Sequence, residues 1–417
     1  MEQKAPRREV RRRRWTGGAG ATLLFGLLLG VGFAWGTIAG DPGNSVSLAH
    51  GRKPTAATNA VGEVLILWES PEAGLSGQFI DPWGLFRGKE FPIGDLHGSE
   101  REPALTRLDD EEVAIVWESG LARRPSVRFR QFRKSLAGTR FLVPSSPEVE
   151  ISDAVHPAVA AAEGNIALVW TAAEAQMGQH YLALLEEEDE PLARRSLAGT
   201  QLRIGQPGAA TPADVAMAND GELLVVWENA GRDIMAFAMN ATDLPETRQK
   251  GGRSLAGTQF RINESLSGEQ TAPAVATTLD GNFLVVWETM QANGERSLYG
   301  RRIVERSLAG SLFRIDDDSS VTALDPSLAA DPWGRQIVTW SQVDHSGAAA
   351  IMARSLLLDG TANGPVFRVD PGDPFPGAAR VTRGGESTDF VVLWENDDMS
   401  ENPDIRVRFL TGPYDQR

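Results

Sequence analysis

A tryptophan closing a short apolar run recurs seven times along the 417-residue chain, at Trp68, Trp117, Trp170, Trp227, Trp287, Trp340 and Trp394. The copy Asp280-Gly281-Asn282-Phe283-Leu284-Val285-Val286-Trp287-Glu288 shows the pattern in full: a turn, an apolar run, the indole and a carboxylate. Successive tryptophans stand 49, 53, 57, 60, 53 and 54 residues apart, a loose period of the kind propellers and arrays show. A repeat of this length overrides the two or three domains that chain length alone suggests.

The fifth copy, residues 271–315, reads as four strands, called A to D in chain order. Strand A is Ala272-Pro273-Ala274-Val275-Ala276, with proline near its start, where a missing N–H does least harm to a ladder. Leu279-Asp280-Gly281-Asn282 is turn chemistry, because Gly and Asn accept positive φ. Strand B, Phe283 to Trp287, is continuously apolar, rich in β-branched residues and too short for a stable helix. Strand C, Ser297 to Ile303, and strand D, Leu312-Phe313-Arg314-Ile315, both alternate, as half-exposed strands do. A Ser-Leu-Ala-Gly tetrad precedes strand D at Ser135, Ser196, Ser254 and Ser307.

A B strand that is apolar on both faces needs dry surroundings on both sides. Four-stranded sheets stacked radially supply this, whereas a two-sheet sandwich predicts alternation in every strand. The expected fold is therefore all-β: a seven-bladed β-propeller of four-stranded antiparallel blades, with each tryptophan wedged between neighbouring blades. After Trp394 the chain supplies a strand C, Ile405 to Leu410, but no strand D. Ser45-Val46-Ser47-Leu48 stands before the first strand A, in the place a strand D holds elsewhere. This N-terminal strand is expected to complete the last blade and close the ring.

The repeat pattern, Pro-x-Val-Ala, then Asp-Gly-x-x-Val-Val-Trp-Glu, then a Gly-Arg-Arg-Ile strand and a Phe-Arg-Ile strand, resembles repeats of bacterial secreted and cell-surface propeller proteins of the integrin-like and calcium-binding type. It covers nearly everything from Pro54 to Leu410 and implies a fold rather than an activity. One departure is that Ser-Leu-Ala-Gly replaces the Asp-x-x-Gly turn such repeats carry; only Leu358-Asp359-Gly360 keeps it. That weakens the implication of calcium at those turns.

Residues 1–40 read as an address. Lys4, Arg7, Arg8 and Arg11 to Arg14 precede a stretch from Trp15 to Gly40 without a charge. A basic flank before an apolar centre is the export pattern, and a run near 20 residues is also long enough to span a bilayer. A cleaved signal peptide and an uncleaved N-terminal membrane anchor both stay open; either places residues 41–417, the propeller, outside the cytoplasm, secreted, periplasmic or at the cell surface. Of the formal −15, residues 1–14 contribute +5, which leaves −20 on residues 41–417. A body that acidic repels phosphate, so no nucleic-acid partner is expected, and a membrane is met only through residues 15–40. The chain has no cysteine, which excludes disulfides, thiolate zinc sites and thiol catalysis.

The carboxylates after the tryptophans, Glu69, Glu118, Glu228, Glu288 and Glu395, are the candidate binding residues. In a propeller the B–C and D–A loops share one face, so these groups would ring one rim together with Asp316-Asp317-Asp318, Glu264 and Glu269. Such a rim would collect a cation or a basic partner; alternatively, each Glu caps its loop or pairs with a nearby Arg. Asp397, Asp398, Glu401 and Asp404 share one loop, but lack the ligand order of an EF-hand. No specific motif supports calcium, no cofactor is expected, and the metal is left unknown.

The five histidines fall in different repeats, and no Gly-x-Ser-x-Gly, His-Glu-x-x-His or sialidase-type Asp box occurs. Catalytic residues: none is expected. Trp83 and Trp333, in two Asp-Pro-Trp-Gly tetrads, are the aromatics expected to be exposed. The leading expectation is an exported, monomeric, non-enzymatic propeller that binds a protein, glycan or envelope component. The alternative is an extracytoplasmic hydrolase or lyase with its site at the mouth of the central channel. Three or more titratable groups from different blades converging within hydrogen-bonding distance at that mouth would separate the two.

Overall fold

Every tryptophan-bearing run is the second strand of an antiparallel sheet, paired on one side with strand A and on the other with strand C. The computed structural model describes residues 45–411, apart from residues 82, 95–99, 121–123, 136–140, 174–177, 187–200, 207–210, 244–256, 264–266, 318–320, 332, 374–375, 385–389 and 398–402. Residues 1–44, and with them the signal or anchor segment, lie outside the described residues, as do the tetrads that begin at Ser196 and Ser254.

The described residues form seven sheets, each a blade with strands in the order A-B-C-D. Blade 5 comprises Glu269–Thr277, Phe283–Met290, Arg296–Val304 and Ser307–Arg314. The Ser307 tetrad thus lies within strand D rather than before it. In blade 2 the outer strand is split: Leu142–Pro144 and Val149–Ser152 both pair with Ser126–Lys134. Among the described residues the helical structure is one 3-10 turn, Ala241–Asp243.

Closure follows the sequence expectation. Val46–His50 pairs antiparallel with Asp404–Leu410, placing Val46 opposite Val407 and His50 opposite Asp404. The first described strand, Val46–His50, is therefore the outer strand of blade 7. A ring joined by backbone hydrogen bonds between its two ends leaves no free seam.

The core lies between blades. Each of the seven apolar clusters joins two adjacent blades, and each contains one repeat tryptophan. Strand B of blade 5 shows why its run is continuous: Phe283, Val285 and Trp287 pack toward blade 4, Leu284 and Val286 toward blade 6. The seven tryptophans are all buried. Outer strands follow another rule. Arg203, Arg261, Arg314 and Arg368 are exposed, while Ile204, Ile262, Ile315 and Val369, one residue on, are buried.

The loops divide between two faces. The antiparallel order puts the D–A and B–C loops on one face, called upper here, and the A–B and C–D loops on the other, called lower.

Candidate active site at the mouth of the central channel

The inner strands of all seven blades line a cavity of about 1050 Å³ that opens on the upper face. Strand A enters it through a Pro in most blades, among them Pro54, Pro103, Pro157, Pro212, Pro273 and Pro326. Before five of these prolines the backbone is left-handed, at Lys53 (φ 50°), Glu102 (48°), His156 (53°), Ala272 (49°) and Asp325 (52°). That conformation costs a non-glycine residue roughly 1–2 kcal/mol and needs an external hold.

The hold is the glutamate after the tryptophan of the preceding blade. Glu395 accepts the Lys53 amide at 2.7 Å, Glu69 that of Glu102 at 2.7 Å, Glu118 that of His156 at 2.6 Å and Glu288 that of Asp325 at 2.7 Å. The fifth, Glu228, stands before the blade that carries left-handed Ala272 and bonds Arg232 at 2.9 Å. Sequence reasoning anticipated loop caps or arginine partners. It missed that four of these carboxylates reach across a blade junction, because the partner lies 33 to 38 residues further on or, for Glu395, 342 residues back. The signal was the pairing of a post-tryptophan Glu with a Pro-led strand in the next repeat.

Two junctions lack the carboxylate. Thr171 donates its hydroxyl to the Thr211 carbonyl at 3.2 Å, and Ser341 to that of Gly377 at 2.9 Å. Neither Thr211 nor Gly377 is left-handed.

Of the five candidate glutamates, Glu228, Glu288 and Glu395 line the cavity. Glu69 and Glu118 hold the junctions 1/2 and 2/3, and the Glu118 side chain is only 3% exposed, against Arg101 at 2.8 Å. Both oxygens of Glu288 are engaged, one by the Asp325 amide and one by Arg296 at 2.6 Å. Burial raises the Glu69 carboxyl, opposed by the Glu102 amide and the Lys53 charge. Burial also raises Glu228, opposed by Arg232 and reinforced by the charges of Glu269 and Glu288.

Other acidic candidates disperse. Asp316 is buried, accepting the Leu298 amide at 2.6 Å and pairing with Arg314. Asp317 pairs with Arg354. Asp397 lies 3.7 Å from Arg52, and Asp404 lies 3.0 Å from His50. Asp318, Glu264, Asp398 and Glu401 lie outside the described residues. Among the described residues no group of three or more His, Asp or Glu side chains is set to hold a metal.

Two charged clusters converge at the mouth. In blades 7, 1 and 2, Glu395 holds the Lys53 amide, the Lys53 ammonium lies 3.1 Å from Glu102, and the Glu102 amide binds Glu69. In blades 4 and 5, Arg232 stands between two carboxylates, 2.9 Å from Glu228 and 3.8 Å from Glu269. Glu269 is 47% exposed. Asp214 of blade 4 and Arg380 of blade 7 also line the cavity. Burial raises Asp214, while the Val275 and Val215 amides and the Arg380 charge oppose it.

No protein-family model and no curated protein matches the sequence. Solved structures do match over most of its length. A protein of unknown function from Dyadobacter fermentans is 11% identical, covering 88% of this chain and 98% of its own, with a TM-score of 0.49. The α-L-arabinanase of Penicillium chrysogenum, complexed with arabinobiose, is 13% identical over 86% and 98%, with a TM-score of 0.45. A Hadza microbial sialidase is 14% identical over 82% and 74%, with a TM-score of 0.43. At such identities the likeness is one of fold.

The expectation of a non-enzymatic module with no catalytic residue is corrected here. Several of the matched structures are named as glycosidases, an activity printed for those proteins. Independently, ionisable side chains of different blades meet at the mouth, Lys53 with Glu102 at 3.1 Å and Arg232 with Glu269 at 3.8 Å. A sequence scan for short motifs could not find such a site, because its members are scattered over the repeats.

Proposed function

We propose that the chain is an extracytoplasmic glycoside hydrolase with its site at the upper mouth of the central channel. The observation that carries this reading is the pair Glu228 and Glu269 flanking Arg232 on the cavity wall. Glycoside hydrolysis needs two carboxyl groups in different protonation states. Glu228, the more buried of the two and raised by that burial against the pull of Arg232, is assigned the acid that protonates the leaving oxygen. Glu269, exposed and facing the arginine, takes a proton from water as the water oxygen bonds the anomeric carbon. The glycosidic C–O bond breaks, and the proton lost from Glu228 appears on the departing sugar hydroxyl. Arg232, 2.9 Å from Glu228 and 3.8 Å from Glu269, holds the two carboxyl groups on either side of it. Export is supported by the basic and uncharged segments of residues 1–40.

The test is release of reducing ends from a panel of polysaccharides and aryl glycosides by the full chain, Glu228→Gln and Glu269→Gln. Each substitution is expected to lower the rate by about 100-fold or more. No hydrolysis across the panel, or a double variant as fast as the parent, ends this reading.

A further inference from the structure

The two faces differ in what they show to solvent. Among the described residues the large exposed apolar side chains are Val61, Trp83, Leu85, Phe86, Val143, Leu279, Trp333 and Leu357. Val61, Leu279 and Trp333 stand in A–B turns, and Trp83, Leu85 and Leu357 in C–D connections, all on the lower face. Phe86 begins the outer strand there, and Val143 lies opposite Arg133, at the lower end of blade 2. None is on the upper face.

The two tryptophans are held outward by the same construction. Asp81 accepts the Trp83 amide at 3.0 Å and the Leu85 amide at 2.8 Å; Asp331 accepts those of Trp333 and Arg335, both at 2.9 Å. Gly84 and Gly334 follow at φ 81° and 86°, a conformation that suits glycine. Arg87 neutralises Asp81 at 2.5 Å, and Arg335 neutralises Asp331 at 2.6 Å. The acid that shapes each turn therefore adds no net negative charge beneath the indole. Trp83 is 72% exposed and Trp333 59%. A rigid turn that spends its polar groups internally and leaves an indole in water is arranged for a contact.

Position identifies the contact. Trp333 belongs to blade 6 and Trp83 to blade 1, on either side of blade 7. The outer strand of blade 7 is Val46–His50, which runs from the lower face toward the upper. Strand Val46–His50 thus begins at the lower face, on the blade between those that carry the two tryptophans. Between the uncharged segment ending at Gly40 and Val46 stand five residues. Fully extended they reach at most about 18 Å.

We propose that the lower face docks on a lipid bilayer, with Trp83 and Trp333 seated at the headgroup level. Indoles favour that zone because one edge is apolar and the N–H can stay hydrated. The net −20 on residues 41–417 selects against anionic lipid, so the partner is a zwitterionic surface. The geometry leaves the channel mouth facing away from the bilayer. This proposal stands apart from the catalytic one, since it uses none of the groups at the mouth.

The chain contains no cysteine, so a single introduced thiol gives a unique nitroxide position. The full chain is reconstituted in phosphatidylcholine vesicles with the label at Leu279→Cys or Val61→Cys on the lower face, or at Ala292→Cys on the upper. Collision with lipid-soluble oxygen, relative to a water-soluble nickel complex, is expected to be several-fold greater at the two lower positions. Adding Trp83→Ala and Trp333→Ala should bring the ratio at Leu279→Cys down to the upper-face value, with an unchanged thermal melt. Equal ratios on both faces overturn the proposal, as does a lower-face ratio that survives loss of both indoles.

Discussion

Five blade junctions carry a glutamate, four of which clasp the next blade, and two are clasped by a hydroxyl; the backbone differs with them. Wherever the residue after the tryptophan is Glu, the next inner strand is left-handed just before its proline; where it is Thr171 or Ser341, it is not. At four of the five, the carboxylate accepts the amide that the left-handed residue presents. A hydroxyl can donate, so it meets a carbonyl and the chain keeps an ordinary course. At six of the seven junctions the hydrogen-bonding sign of that one residue thus matches the path of the neighbouring blade; at the seventh, Glu228 bonds Arg232 and Ala272 is left-handed without it. The Thr171 junction also buries a histidine: His180 sits 3.0 Å from the Thr171 hydroxyl, and burial pushes its pKa down to about 4.

The sharpest test separates what the two kinds share from what they do not. Trp287→Ala, at the Glu228 junction, and Trp394→Ala, at the Ser341 junction, should each cost about 3–5 kcal/mol in denaturant unfolding. A large difference between them would mean that the clasp, not the indole, sets junction strength. Next, Glu118→Ala leaves a left-handed His156 amide and Arg101 without their partner, and a loss of roughly 3 kcal/mol is expected. Restoration by His156→Gly would place much of that loss in backbone strain.

Acid should split the two kinds in opposite directions. His180 is depressed from 6.5 to about 4, so the native state resists protonation that the unfolded chain accepts. Its contribution is whole above pH 6.5 and is lost as pH falls toward 4, by up to about 3 kcal/mol. Glu228 is raised, so burying its charge costs stability at neutral pH, and that cost is relieved as pH falls toward the ordinary carboxylate range. Unfolding free energies at pH 7 and 4.5 should therefore converge in His180→Gln relative to the parent. Glu228→Gln should remove the opposing trend. The smallest effect expected is that of Thr171→Val, which removes the hydroxyl that meets both the Thr211 carbonyl and His180, at a cost of about 2 kcal/mol.

Much of this architecture was legible in local sequence. Blade number followed from the tryptophans, since a strand apolar on both faces has to lie between two others. Ring closure followed from a missing outer strand at one end and a spare strand at the other. The outer arginines were legible too, because alternation has period two. The site was less so. Glu228 was singled out by its repeat position, yet Arg232 and Glu269 gain meaning only from the 2.9 Å and 3.8 Å that bring them to it. Arg380 and Asp214 lie 166 positions apart in the chain and share one cavity.

By itself, then, the sequence determined the repeat, the strand order, the count of blades and the way the ring shuts, because burial and turn chemistry act within a few residues. The tertiary structure alone decided which carboxylates became clasps, which stayed open at the channel, and that two distant Asp-Pro-Trp-Gly turns share a face with the start of strand Val46–His50. Those outcomes depend on closing a ring, and closure joins residues that no local pattern links.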